Sequence, residues 1–216
     1  MAAPITTVVF DVGETLVDET RHWGEWADWM GVPHLTFFAA FGAVIARGQH
    51  HRQVFQILSP GFDVEAATRA REAAGWRYAF ESGDFYPDAL PCLAALREAG
   101  LAIGVAGNQP EAAEASLAEL GVPADFIASS ARWGVEKPSA AFFARVAEAA
   151  GCAAEQIAYV GDRLDNDVLP SLAAGLKAVF VRRGPWGWMH AEMADIQQAH
   201  IRLDSLLDLP ARIAAL

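Results

Sequence analysis

Cysteine is nearly absent from this chain of 216 residues: only Cys92 and Cys152 occur, far apart in sequence. Neither sits in a CxxC or finger-type spacing, which excludes a disulfide scaffold and a thiolate metal knuckle. Both lie in alanine-rich stretches and read as small buried residues. Long hydrophobic runs are also missing. None reaches the ~18 residues that a membrane span requires. The N-terminus has no basic region followed by a long apolar segment, so no signal peptide is expected. Positive charge is in deficit, with 16 basic against 27 acidic residues and a net charge of -11. That balance argues against non-specific nucleic-acid binding, which depends on neutralising phosphates. It does not exclude a small anionic ligand, because one lysine or a metal ion can override the global field. Internal repeats and low-complexity linkers are absent as well. The expectation is a soluble, cytoplasmic protein with no nucleic-acid or membrane partner, either a monomer or a homodimer.

Apolar material is plentiful. The chain is 53% hydrophobic and 20% charged, enough to bury a large core. Several segments repeat one pattern of apolar strand, short loop and amphipathic helix. Strands are expected at 5–10, 101–106, 125–128, 157–160 and 178–182. Helices are expected at 87–99, 110–120, 138–150 and 167–175. Pro87 and Gly100 bound the first of these helices, and Pro110 and Gly121 the second. Alternating strand and helix signals imply a parallel sheet covered on both faces. The fold class expected is α/β, a Rossmann-like parallel sheet flanked by helices, with a small all-helical second domain. Residues 18–83 carry no clear strand. Trp23, Trp26 and Trp29 recur every three residues, and Phe37, Phe38, Phe41, Val44 and Ile45 continue a helical face. The expected division is 1–17 with 84–216 as the α/β core, and 18–83 as a helical insert. The tryptophan stripe reads as helix packing rather than a ligand platform.

Chemistry is expected at the strand ends. The run Ile5-Thr6-Thr7-Val8-Val9-Phe10 closes on Asp11, and Ile157-Ala158-Tyr159-Val160 closes on Gly161-Asp162-Arg163-Leu164-Asp165-Asn166-Asp167. In parallel sheets, ligands bind outside the carboxyl ends of the strands. Asp11, Asn108 and Asp162 all fall there. Two strand-end carboxylate sites with Lys137 between them suggest magnesium and a phosphate ester.

Four segments, in order and spacing, resemble the motifs of the haloacid dehalogenase (HAD) superfamily. They are Phe10-Asp11-Val12-Gly13-Glu14-Thr15-Leu16, Gly107-Asn108, Glu136-Lys137-Pro138 and Gly161-Asp162 through Asp167. The resemblance covers essentially the whole chain and makes the insert a cap domain. It implies that Asp11 is a nucleophile that forms an aspartyl-phosphate. Magnesium would be held by Asp11, the backbone carbonyl of Gly13 and Asp162, and would offset repulsion between Asp11 and a phosphate dianion. Lys137 would pair with the phosphate and the nucleophile. Asp167 would orient the metal waters or Lys137. Asp165 reads as a solvated acid at a helix start. The implied activity is magnesium-dependent hydrolysis of a small phosphorylated metabolite.

Two positions depart from the family pattern. Phosphatases of this type carry an aspartate two residues after the nucleophile, to protonate the leaving alcohol and then activate water. Here that residue is Gly13. The second motif usually supplies a Ser or Thr hydroxyl to the phosphate. Here the position is Gly107, leaving backbone N–H groups and the Asn108 amide as donors. A substitute acid is sought in Glu14, or in the insert at His22, His50 or His51. An acyl or aryl phosphate, with its good leaving group, would need no strong acid. Family members that act on carbon–halogen or carbon–phosphorus bonds also lack the second aspartate. However, Gly13 is not the aromatic residue of the dehalogenases, and 18–83 contains no lysine to form a Schiff base. A catalytically weakened binding or regulatory protein is the remaining alternative. The segment Arg182-Arg183-Gly184-Pro185-Trp186-Gly187-Trp188 follows a strand end and is expected to line the site or a partner surface.

Overall fold

The structure is a computed structural model, and it describes residues 4–216. Six parallel strands form one sheet in the order β3-β2-β1-β4-β5-β6. They are β1 (Thr7–Phe10), β2 (Ala102–Gly107), β3 (Phe126–Ser129), β4 (Ile157–Gly161), β5 (Lys177–Val181) and β6 (Ile201–Leu203). Every residue of β1 and β4 is buried, which is why both read as unbroken apolar runs. The register is even: Phe10 stands opposite Val105 on one side and Val160 on the other. β1 is therefore central. The chain winds outward from it through β2 and β3, then returns to its other side with β4. This reversal opens a crevice at the carboxyl end of β1, where such sheets bind ligands.

The expected strands and the four expected helices form, with ends shifted by at most two residues. The last helix differs in kind. Leu164–Val168 is a wide π turn, and the regular helix is only Leu169–Ala173, with Pro170 in its first turn. The third residue of β6, Leu203, and its first, Ile201, are buried, while Arg202 between them is exposed. Three residues on a sheet edge are too few to show as a periodic run.

One face of the sheet packs on the helix Ala140–Ala150. Phe142, Phe143 and Val146 meet Val9, Ala106, Ala128, Ile157 and Tyr159 there. A second cluster joins Leu164 and Val168 to Ala178, Phe180 and Ile196. Cys92 and Cys152 are free thiols, and burial pushes the Cys92 thiol up to about 12.

The described chain divides into two compact units, with Glu19–Ala79 as the second. Asp18 and residues 80–83, placed in the insert by sequence, group with the sheet. The Phe80 N–H donates to Ser116 Oγ at 2.7 Å, and that hydroxyl donates back to the Phe80 carbonyl at 3.3 Å. The exit and return of the chain are stitched together. Tyr86 N–H donates to the Leu16 carbonyl, and Asp18 N–H to the Asp84 carbonyl.

The second unit contains the helices Thr20–Met30, His34–Ala46, Gln53–Leu58 and Val64–Ala73. Its core is aromatic: Trp23 lies 4.6 Å from Phe41, and Trp26 lies 5.0 Å from Phe55. Trp29 turns outward and is 44% exposed. The Arg71 guanidinium sits between the Trp26 and Trp76 rings, 4.2 and 4.1 Å from their centroids, and bonds Glu25. No single helix among the described residues is long and apolar enough to cross a membrane.

Candidate active site

Asp11 directly follows β1, Gly107 ends β2, and Asp162 directly follows β4. These neighbouring strands carry the three positions to one crevice. Lys137 arrives from the segment between β3 and β4. Its Nζ is 2.7 Å from Asp11 Oδ1 and 2.6 Å from Asp167 Oδ1. The lysine side chain is only 1% exposed. Burial pulls its ammonium toward neutrality, but Asp11 and Asp167 outweigh that and hold its pKa well above the ordinary value. Its Nζ also lies over the Tyr159 ring at 5.4 Å and the Phe142 ring at 5.9 Å. The lysine is thus a fixed cation in an aromatic sleeve. No pattern in the sequence marks Tyr159 or Phe142 for this role, since both lie in ordinary apolar runs.

Asp167 is held from both sides. Its Oδ1 accepts from Lys137, and its Oδ2 accepts the Arg163 N–H at 3.0 Å. The turn brings it against Gly161, where any β-carbon would collide with its carboxylate. Burial, opposed by Lys137, pushes Asp167 up to about 6. Asp162 is almost fully buried, and its Oδ2 has no hydrogen-bond partner among the described residues. Burial, then Asp167, Asp11 and Glu14, push its pKa well above the carboxylate range. Carboxylate oxygens of Asp11, Asp162 and Asp167 lie within 4.8 Å of one another. Like charges this close, one with an orphaned oxygen, form a donor set that suits a hard cation.

Asn108 has a role in addition to the one expected. Its amide nitrogen donates to the Lys137 carbonyl at 2.9 Å, and its Oδ1 accepts the Lys137 N–H at 2.8 Å. One amide N–H and the amide oxygen are engaged, so the side chain clamps the lysine and keeps its second N–H for another acceptor. Asn108→Ala removes two bonds worth about 1 kcal/mol each. The expected result is a Tm lowered by several degrees and a kcat lowered about tenfold. Unchanged kinetics in a folded variant would show that the clamp does not position Lys137. Gly107 carries no hydroxyl, and there is little room for one. A β-carbon there would stand 2.5 Å from Asp11 Oδ1 and 3.4 Å from Val12 Cγ2.

Glu14 is the one non-glycine residue with positive φ among those described, at 54°. That conformation costs about 1–2 kcal/mol for an L-residue. It is held in place from outside. Tyr86 Oη donates to Glu14 Oε2 at 2.5 Å, and Gly184 lacks the β-carbon that would strike this carboxylate. Burial and the Glu14 charge raise the Tyr86 phenol far above its ordinary range, so it keeps its proton. Arg183 stacks on Tyr86 at 4.4 Å, forks onto Asp88 at 2.9 and 2.6 Å, and donates to the Thr15 carbonyl. The sequence places Arg183 just past a strand end but gives no sign of these partners. Gly13, in contrast, does not have positive φ.

Asp165 is exposed and forked by Arg163 at 3.1 and 2.7 Å. His190 Nδ1 accepts the Leu164 N–H at 3.0 Å, anchoring the same turn. Trp186 is buried under the Arg163 guanidinium, while Trp188 is 60% exposed. His22, His50 and His51 lie in the helical unit on aromatic neighbours. His22 is edge-on to Trp23 and Tyr78, and His50 stacks on His51.

The sequence pattern of the haloacid dehalogenase-like hydrolases matches residues 5–175. The chain belongs to that family. It is 36% identical over 104 residues to a glyceraldehyde 3-phosphate phosphatase of Methanopyrus kandleri, a match covering 47% of this chain and 45% of that relative. The match thus spans less than half the length of that relative. Among solved structures, the HAD hydrolase YfnB of Bacillus subtilis, bound to magnesium, matches with a TM-score of 0.72 at 16% identity, over 98% of this chain and 99% of that one. The L-2-haloacid dehalogenase of Xanthobacter autotrophicus, with chloropropionic acid covalently bound, matches at 0.65 and 20% identity, over 97% and 98%. Both HAD structures share the fold. Because one is a dehalogenase, the fold leaves the bond that is cleaved undecided.

Proposed function

We propose that this HAD-family chain is a magnesium-dependent phosphatase for a small phosphorylated metabolite, working through an aspartyl-phosphate on Asp11. The observation that carries the reading is the orphaned Asp162 Oδ2, in a carboxylate group within 4.8 Å of Asp11, which itself pairs with a fully buried lysine. A nucleophile aimed at an uncharged carbon–halogen bond needs no second buried carboxylate. A phosphate dianion does need cations, because its charge opposes that of Asp11.

Asp11 and Asp162, with the Gly13 carbonyl, would hold the magnesium, which supplies charge neutralisation when bound. Asp11 Oδ attacks phosphorus. Lys137, bonded to Asp11 Oδ1, orients that carboxylate and presents positive charge to the phosphate. Asp167 fixes the lysine in turn. Dry walls at Tyr159 and Phe142 strengthen these charges. By its resemblance to the family's inserted domains, the Glu19–Ala79 unit is assigned the choice of substrate. The first experiment is phosphate release from a panel of phosphorylated compounds with magnesium and with a chelator. Release that survives full chelation would remove the metal from this reading.

The carboxylate cluster also predicts a pH effect. Asp167 is raised from 3.8 to about 6, and burial beside Asp167 and Asp11 raises Asp162 as well. A folded-state carboxylate with a raised pKa binds protons that the unfolded chain has already lost. The metal-free protein therefore loses stability as pH rises through about 4 to 6. Magnesium requires the ionised form, so its thermal stabilisation is expected to be larger at pH 7.5 than at pH 5. Equal magnesium shifts in Tm at both values would contradict the assignment.

A further inference from the structure

The loops after β1 and β4, residues 11–17 and 162–168, contain five acidic side chains. The structure gives each of them a partner or a place in the metal cluster. Asp11 is bound to Lys137. Asp167 is bound to Lys137 and the Arg163 N–H. Asp165 is forked by Arg163. Asp162 belongs to the buried carboxylate group. Glu14, the nearest candidate for the missing acid, accepts a short bond from Tyr86 and packs against Gly184. It is 6% exposed and held there at positive φ. Its neighbours have built a place for an acceptor. The Tyr86 proton is itself spent on that bond. Position 13, one residue earlier, has no side chain.

We infer that this enzyme is selective for phosphate carried on an oxygen that leaves as a stable anion, namely an acyl, enol or aryl phosphate, in preference to an alkyl ester. The inference rests on the phosphatase reading above. The first step forms the bond from Asp11 Oδ to phosphorus and breaks the bond from phosphorus to the leaving oxygen. The electron pair departs on that oxygen. A carboxylate, with an ordinary pKa of about 4, accepts the pair without a proton. An alkoxide, whose conjugate acid is about as weak as water at roughly 16, does not. In the second step water attacks phosphorus and Asp11 is released as a carboxylate. Both protons of that water stay on inorganic phosphate, so an acyl phosphate dianion and water yield a carboxylate and dihydrogen phosphate. No carboxylate of the loops 11–17 and 162–168 is left to act as base in this step, and the aspartyl-phosphate accumulates.

The test measures kcat/KM on the full chain with magnesium for acetyl phosphate, p-nitrophenyl phosphate and phenyl phosphate. It compares them with glyceraldehyde 3-phosphate and phosphoserine. The acyl and aryl compounds are expected to exceed the alkyl esters by about 10²–10⁴-fold. Rapid quench is expected to show a burst of the leaving group approaching one per protein, with one phosphoryl group on Asp11. Gly13→Asp, at a position without positive φ, is expected to raise the alkyl rates and narrow the gap. Should that variant fail to fold, the wild-type series decides alone. Alkyl esters hydrolysed within about tenfold of acetyl phosphate would overturn the inference, by showing an acid supplied from elsewhere, the helical unit included. The phosphatase reading would survive that result. No release from any compound that depends on Asp11, judged against Asp11→Asn, would overturn both.

Discussion

Asp11→Asn is expected to abolish turnover while leaving the fold intact. An amide has no oxygen anion to attack phosphorus, and no neighbouring carboxylate among the described residues is placed to replace it. Asp162 has its own place in the cluster, and Asp167 is tied to Lys137 and the Arg163 N–H. A fall in kcat of about 10⁴-fold or more is expected, as for loss of a nucleophile in other covalent enzymes. Stability moves the other way or hardly at all. The substitution removes one of three crowded carboxylates and keeps the Lys137–Asp167 pair. Phosphate release by stopped assay, phosphoryl incorporation by mass spectrometry and thermal unfolding check this together. Retention of more than a hundredth of the wild-type kcat would mean that Asp11 is not the nucleophile, whatever its position.

Lys137→Met is expected to damage stability as well as rate. The ammonium is the cation that both Asp11 and Asp167 contact, and all three side chains are buried. Methionine fills most of the volume but leaves two carboxylates facing each other in a dry sleeve. Breaking a buried pair in this way costs about 3–5 kcal/mol, or a Tm lower by roughly 10 °C for a domain of this size. Turnover should fall by about 10²–10³-fold, the range for removing one preorganised stabilising group. The double variant Lys137→Met with Asp167→Asn separates the two effects. It relieves the unpaired charge, so it should recover much of the Tm while kcat stays low. A single variant as stable as wild type would show that water or relaxation already screens the pair. Recovery of kcat in the double variant would show that Lys137 acts only as a strut for Asp167.

The two predictions depend on different kinds of information. Asp11 and Asp162 stand out in the chain itself. Each ends a run of consecutive apolar residues, and such runs become central parallel strands buried on both faces. Lys137 has no such local mark. Only its order relative to the other motifs singles it out. Its second partner, Asp167, lies 30 positions away on a π turn that helical periodicity does not foretell. Asn108 shows the same limit. Its place at a strand end is legible, but the direction of its amide depends on the backbone of residue 137 passing beside it.

By itself, the sequence determined the α/β class, the positions of five strands and the strand-end placement of the acidic residues. Those features follow from burial along one stretch of chain, which composition and periodicity record directly. It also determined that no carboxylate stands at position 13. Only the tertiary structure decided that β1 is central, that residues 80–83 join the sheet through Ser116, and that a sixth strand closes the edge. It likewise decided that Glu14 turns to Tyr86 and Gly184. These outcomes arise from contacts between residues 36 to 170 positions apart. Side-chain direction, glycine clearance and a partner's reach set such contacts, and none of them leaves a trace in the local order of residues.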